Sequence, residues 1–158
     1  MELRLAGPDD ASAIAAVLLE AFIDYKPLYT DEGFAATTPK SQEVLARLQE
    51  GPLWVAVSAG EIVGTASAVL KSQALYIRGM AVLPVARGRR IGELLLECVE
   101  RHAIEQNCRR LFLSTTPFLD RAIRLYERFG FRRTNEGPHD LFGTPLFTMQ
   151  KLVLKKRR

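Results

Sequence analysis

Arg87-Gly88-Arg89-Arg90-Ile91-Gly92 places three guanidinium groups and two glycines in six consecutive positions, directly before the run Glu93-Leu94-Leu95-Leu96. A helix beginning there presents unpaired backbone N–H groups and the positive end of its dipole, and small residues let an anion approach the main chain. Arginine adds charge-assisted donors suited to phosphate oxygens. The stretch therefore reads as an anion cradle. A solvated basic turn that merely opens a helix would carry the same residues, so the cradle needs support from elsewhere in the chain.

Other reactive side chains are few. Cys98 and Cys108 are the only cysteines and His102 and His139 the only histidines, with no CxxC pair. No closed zinc site is expected from such a set, and no metal is invoked. Cys98 lies among Leu94, Leu95 and Val99 and reads as a small buried hydrophobe rather than a nucleophile.

Charge is unevenly spread. Residues 1–77 carry 5 Lys/Arg against 10 Asp/Glu, net −5, whereas residues 78–158 carry 17 against 8, net +9. The second half suits an anionic ligand. A nucleic-acid partner is not expected, because the arginines are scattered over several elements without an aromatic stacking platform or a helix-turn-helix pattern. The closing Lys155-Lys156-Arg157-Arg158 reads as a frayed tail.

The elements that must position these residues follow from pattern. A length of 158 residues, with 47% hydrophobic and 25% charged side chains, fits one globular domain, 1–158, with a core that needs no disulfide. No apolar run reaches membrane-span length and Met1-Glu2-Leu3-Arg4 does not open a signal peptide, so a cytoplasmic protein with no membrane partner is expected. Leu3-Arg4-Leu5 reads as a strand, and Gly7-Pro8-Asp9-Asp10 caps a helix over Ala11 to Phe22 with Ile14, Val17, Leu18 and Ala21 inward. From Ile23 to Pro39 the period is lost, which predicts a loop or broken helix. Ser41 to Gln49 reads as a helix burying Val44, Leu45 and Leu48.

Leu53 to Ser58, Glu61 to Leu70 and Ala74 to Val82 read as strands. The isolated Gly79 within the third suggests a bulge. A long helix follows from Gly88 to about Gln106, with Ile91, Leu94, Leu95, Cys98, Val99 and His102 on one face and Glu93, Glu97, Glu100, Arg101 and Glu105 towards water. Leu111 to Ser114 is a strand, Asp120 to Phe129 a helix capped by Gly130, and Phe131 to Thr134 and Leu146 to Leu154 are closing strands around a loop from Glu136 to Pro145. Alternating elements of this kind make one mixed α/β domain.

Two segments taken together resemble the GNAT superfamily of acyl-CoA-dependent N-acyltransferases. Met80 to Pro84 running into Arg87 to Gly92 is similar to the family's fourth strand and its pyrophosphate loop, Q/R-x-x-G-x-G/A, with Arg90 standing at the first glycine position. Some 35 residues on, Ala122-Ile123-Arg124-Leu125-Tyr126-Glu127-Arg128-Phe129-Gly130-Phe131 is close to the family's A-x-x-L-Y-x-x-x-G-F signature. An amphipathic helix with a glycine cap would explain the second segment alone; both motifs in order, each on the required element, make coincidence improbable. The resemblance implies a mostly antiparallel twisted sheet of about seven strands, splayed between strands 4 and 5 and flanked by about four helices.

It also implies the chemistry. The cofactor's pantetheine arm would lie against strand 4, pairing with main-chain groups of Met80 and Val82, and the N–H groups from Gly88 to Gly92, including those of Arg89, Arg90 and Ile91, would hold the pyrophosphate with Arg87 and Arg89 assisting. Tyr126 matches the tyrosine that gives a proton to the departing thiolate, and the N–H of Ala81 or Val82 would steady the oxyanion. The expected reaction is acetyl transfer from acetyl-CoA, the cosubstrate, to a primary amine by direct attack. Leu119 stands near where relatives carry a cofactor-contacting asparagine, and Tyr76 near where many carry a glutamate base. Both departures keep open an alternative, a catalytically silent CoA-binding or regulatory domain. Glu20, Asp24, Asp31, Glu32, Ser114, Thr115 and His139 are the candidates to replace the base, with a solvated surface role the ordinary reading for each acid. The acidic first half suits a cationic acceptor such as a polyamine, aminoglycoside or lysine side chain, although bulk charge is a poor guide to a pocket. Phe22, Tyr25, Tyr29 and Phe34 would line an aromatic site or simply pack in the core. Dimers joined through the C-terminal strands are common among similar proteins, which makes a homodimer compatible with the resemblance.

Overall fold

Strand β2 (Leu53–Ser58) is buried on both of its faces, and this sets the architecture. Leu53 and Val55 pack with helix α1 (Ala11–Phe22), whereas Trp54 and Ala56 pack with helix α4 (Ile91–Glu105), as alternation along a strand requires. The structure, a computed structural model, describes residues 1–137 and 139–153. Within them β1 (Glu2–Leu5), β2, β3 (Glu61–Lys71), β4 (Ala74–Val82), β5 (Arg110–Thr115), β6 (Arg132–Arg133) and β8 (Thr144–Leu152) form one sheet in the order β1-β2-β3-β4-β5-β8-β6, with β7 (His139–Leu141) paired to β8. Every pairing is antiparallel except β4 with β5, which is parallel.

The helices close both faces. α1 buries Ala11, Ile14, Val17, Leu18 and Ala21. Its entry is clipped by Asp10, which accepts from the Gly7 N–H at 2.8 Å and from Arg4 at 2.8 Å. On the other face Leu95, Leu96 and Val99 of α4 are wholly buried, each contributing about 1.5–3 kcal/mol over an exposed side chain. α5 (Asp120–Phe129) ends at Gly130, whose φ of +109° is the left-handed cap expected there.

Ile23 to Pro39 takes the broken-helix form of the two expected: a 3-10 turn over Ile23–Leu28 is followed by a short helix α2 (Asp31–Thr37), started by Thr30 Oγ1, which accepts from the Gly33 N–H at 3.0 Å. The fold departs from the sequence expectation at several points. α3 (Ser41–Leu48) buries Val44 but leaves Leu45 exposed, since the helix meets its neighbours on one narrow stripe. α4 starts at Ile91 rather than Gly88, because Gly88 (φ +86°) and Arg90 (φ +60°) are left-handed and cannot belong to a helix. Its buried stripe is Ile91, Gly92, Leu95, Leu96, Val99 and Ala103, rotated from the expected face. Glu93 and Glu100 are accordingly half-buried in ion pairs, Glu100 with Lys151. The segment from Glu136 to Pro145 contains β7 and a hairpin into β8, whose start at Thr144 precedes the expected Leu146. Leu154 and the Lys155–Arg158 tail lie outside the described residues, as does Pro138.

Candidate active site

β4 and β5 pair only at their start, where Ala74, Leu75 and Tyr76 lie beside Arg110, Leu111 and Phe112. Past Tyr76 the strands part. On the other edge of β4, Thr65 pairs with Ala81 and Ser67 with Arg78, so Gly79 and Met80 together oppose Ala66. This is the bulge suggested by Gly79, which takes a φ of +59°. Leu83 N–H donates to Val63 O at 2.8 Å, and alternation along the strand therefore turns the Val82 N–H towards the opening.

Two clefts adjoin at that opening. The first, about 450 Å3, is bordered by Met80, Ala81 and Val82 of β4, by Arg87, Gly88, Arg90, Ile91 and Gly92 of the following turn, and by Leu119 and Tyr126. Apart from Arg89, these are all the residues that the sequence singled out for the donor. Arg89 does not line it: its guanidinium donates to Ser58 Oγ at 3.2 Å, on the far side of the turn. The backbone N–H groups of Arg90, Ile91, Gly92 and Glu93 have no backbone acceptor among the described residues, as the first turn of a helix dictates. Gly92 is needed for close packing, since a Cβ there would stand 2.6 Å from Leu125 Cδ2 of α5.

Charge in this cleft is cationic. Besides Arg87 and Arg90 it holds Arg121, Arg124 and Arg128, against one acid, Glu93. Glu93 is engaged, by Arg90 at 2.8 Å and Arg128 at 3.8 Å. The α5 arginines were missed by motif matching, yet their spacing of three and four residues on the helix carrying Tyr126 is visible in the sequence.

The second cleft, about 310 Å3, shares Phe22, Met80, Leu119 and Tyr126 with the first. Its outer wall joins distant parts of the chain. Thr30 N–H donates to Thr144 Oγ1 at 2.9 Å and Thr30 Oγ1 to Phe142 O at 2.8 Å, latching the start of α2 to the β7–β8 hairpin. Tyr29, Thr37, Leu141 and Leu146 face the cleft from those two segments, and Tyr76 and Ser114 to Thr116 from the parted strands. Of the aromatic group, Phe22 lines both clefts, Tyr25 the first and Tyr29 the second, whereas Phe34 lines neither and packs edge-on to Tyr29 at 6.0 Å.

None of the acids proposed as a base reaches either cleft. Glu20, Asp24, Asp31 and Glu32 are exposed, and His139 is exposed on β7. Two arginines that the sequence did not flag line the second cleft, Arg47 from α3 and Arg78 from β4. A Cβ at Gly79 would lie 2.9 Å from Arg47 Nη1, so the bulge makes room for that side chain. Burial, then the charge of Arg78, holds the Arg47 guanidinium below the usual arginine range. The acidic bulk of the first half thus does not describe this pocket.

Tyr126 sits where the clefts meet, 8% exposed, its ring 5.8 Å from that of Phe131. Burial, and secondarily Tyr29, push its phenol up to about 12. It is therefore a neutral donor across the physiological range. The thiols are pushed up by burial, Cys98 and Cys108 alike, and neither borders a cleft. Among the described residues no group of three or more His, Cys, Asp or Glu is placed to hold a metal, and no helix is long and apolar enough to cross a membrane.

Residues 15–131 match the model of the Acetyltransferase (GNAT) family. The chain is 32% identical over 129 residues to a protein of Escherichia coli (strain K12) named Uncharacterized N-acetyltransferase YjgM, covering 77% of this chain and 76% of that one. An IAA acetyltransferase of Azospirillum brasilense is 33% identical over 91 residues, 56% of this chain and 58% of its own. In fold, the chain is similar to a GNAT-family acetyltransferase of Staphylococcus aureus Mu50, with a TM-score of 0.78 at 19% identity over 97% of this chain and 99% of the other. It is also similar to the PaiA N-acetyltransferase of Thermoplasma acidophilum in complex with coenzyme A, with a TM-score of 0.77 at 17% identity over 96% and 98%.

Proposed function

This chain belongs to the GNAT family of acetyltransferases, and from that premise we propose that it moves an acetyl group from acetyl-CoA to a primary amine, both substrates being bound at once. The observation that carries the reading is the meeting of two clefts at Tyr126, one cationic beside a helix start and the other closed by α2 and the β7–β8 hairpin. The relative solved with coenzyme A supports an acyl-CoA in the first.

In this reading the pyrophosphate rests on the free N–H groups from Arg90 to Glu93, with Arg87 and the α5 arginines supplying charge. The pantetheine amides extend β4 along Met80 and Val82. The amine nitrogen attacks the thioester carbonyl; as the tetrahedral intermediate collapses, the N–C bond remains and the C–S bond breaks. The Val82 N–H steadies the oxyanion, and the thiolate takes the Tyr126 phenol proton. Because Glu93 is engaged by two arginines and no other carboxylate among the described residues lines either of these two clefts, the amine's proton leaves through water, and the phenolate is reprotonated from solvent. Leu119, at the border of both clefts, offers contact without a hydrogen bond.

The lack of a free lining carboxylate or histidine among the described residues, with Tyr76 and Leu119 at the two altered positions, supports the competing reading of a silent CoA-binding or regulatory domain. Thiol release from acetyl-CoA across a panel of amines separates the two: turnover with any amine excludes the silent domain, and none with all of them favours it. Calorimetry with CoA and with short duplex DNA tests the donor site itself. Binding of DNA without CoA at submillimolar concentration would overturn the acyltransferase reading.

A further inference from the structure

Resting on the acyl-transfer reading, we propose that the acceptor is an amine bearing a carboxylate, an amino-acid-like monoanion, whose carboxylate is held by Arg47 and Arg78 in the second cleft. Among the described residues lining that cleft there is no aspartate or glutamate, while two arginines line it from different elements. A polyamine, an aminoglycoside or a lysine side chain would bring further positive charge against both, with only Glu50, outside the lining, to offset it.

The polar inventory of the cleft region is unfinished within the protein. Arg47 makes one hydrogen bond, to Ala36 O at 3.3 Å, and no ion pair among the described residues. Arg78 donates one Nη to Glu50 at 2.6 Å, but its Nε is buried without a partner. Ser67, its neighbour across the β3–β4 ladder, has a buried hydroxyl with none among the described residues, whereas Thr116, which lines the cleft, has the Tyr29 phenol within reach. Buried donors of this kind are expensive unless something accepts from them. A carboxylate offers about four lone-pair sites and suits planar guanidinium geometry. Glu50 already offsets one of the two charges, leaving a net charge that matches a monoanion better than a dianionic phosphate. The remaining wall, from Phe22, Tyr29, Leu141 and Leu146, fits an apolar side chain on the same molecule.

The test compares leucine and phenylalanine with their carboxamides, with spermidine and with O-phosphoethanolamine, each assayed by thiol release from acetyl-CoA. The free amino acids are expected to exceed their carboxamides at least about 10-fold in kcat/KM, the scale of one charge-assisted pair. The comparison is conservative, because the carboxamides have the more weakly basic amines. Arg47→Gln and Arg78→Gln are expected to bring that ratio to near one, and Arg78→Lys to restore part of it. Thermal unfolding of each variant confirms that the comparison is made on folded protein. Carboxamides, spermidine or the phosphate acceptor turned over as well as the amino acids would overturn the carboxylate assignment while leaving acyl transfer intact. A variant that slows carboxylate and carboxamide by the same factor would remove the recognition role. No thiol release with any amine, from protein that binds CoA, would instead sink the acyl-transfer reading and this inference with it.

Discussion

A phenol 8% exposed between two clefts stays protonated at neutral pH, so Tyr126 has a proton to give in the proposed reaction, although burial makes that transfer harder than from an ordinary phenol. Replacing it with phenylalanine removes the proton donor but keeps the ring that packs on Phe131. Tyr126→Phe is expected to lower kcat about 100-fold or more, the usual contribution of a general acid, with the KM for acetyl-CoA little changed. Steady-state thiol release decides this, and an unchanged kcat would remove Tyr126 from the acid role. The raised phenol makes a second prediction. Activity should climb with pH as the acceptor amine is neutralised, without a descending limb near the ordinary phenol value of about 10. A limb there that vanishes in Tyr126→Phe would mean that the native phenol ionises normally. Stability follows with a definite sign. Between about pH 10 and pH 12 the unfolded chain has lost this proton and the folded protein has not, so stability falls as pH rises through that window, by on the order of 2 kcal/mol. Urea unfolding at the two ends of the window should show a smaller fall in Tyr126→Phe than in the parent.

At the scale of elements, the turn into α4 and the exit from α5 carry the same backbone demand and answer it differently. Gly130 holds φ +109° with no Cβ, whereas Arg90 holds φ +60° with one. Arg90→Gly is expected to raise the melting temperature by about 2–4 °C and Gly130→Ala to lower it by about as much, both measured by calorimetric or circular-dichroism melts. A fall for Arg90→Gly would show that the exposed Arg90–Glu93 pair outweighs the strain. The motif position that departs from the family's glycine is thus tolerable because a left-handed residue costs little when it occurs singly, ahead of a helix held by Leu95, Leu96 and Val99.

For the whole molecule, the opposed charge of the two halves matters through where the fold puts it. Five arginines and one engaged glutamate border the first cleft, so acyl-CoA should arrive steered by the field. Raising ionic strength from about 0.01 M to 0.15 M shortens the screening length from about 30 Å to about 8 Å. The KM for acetyl-CoA is expected to rise several-fold over that range with kcat unchanged. A KM indifferent to salt would mean that backbone N–H groups, not arginine charge, dominate capture.

The sequence by itself determined most elements, the basic turn that leads into α4 and the place of Tyr126 on α5. Those features are local: Gly and Pro punctuate turns, apolar spacing marks helices, and a helix start offers N–H groups whatever surrounds it. Even the bulge at Gly79 was legible, because a glycine inside a strand has few other uses. What the tertiary structure decided is the acceptor side. Arg47 and Arg78 lie 31 positions apart on a helix and a strand without a shared motif, and the wall they face joins Thr30 to Thr144 across 114 positions. Such contacts depend on how β4 and β5 part and on where the β7–β8 hairpin lands. Neither follows from any local period, so the summed charge of a half-chain pointed to a cationic acceptor where the folded cleft presents arginines.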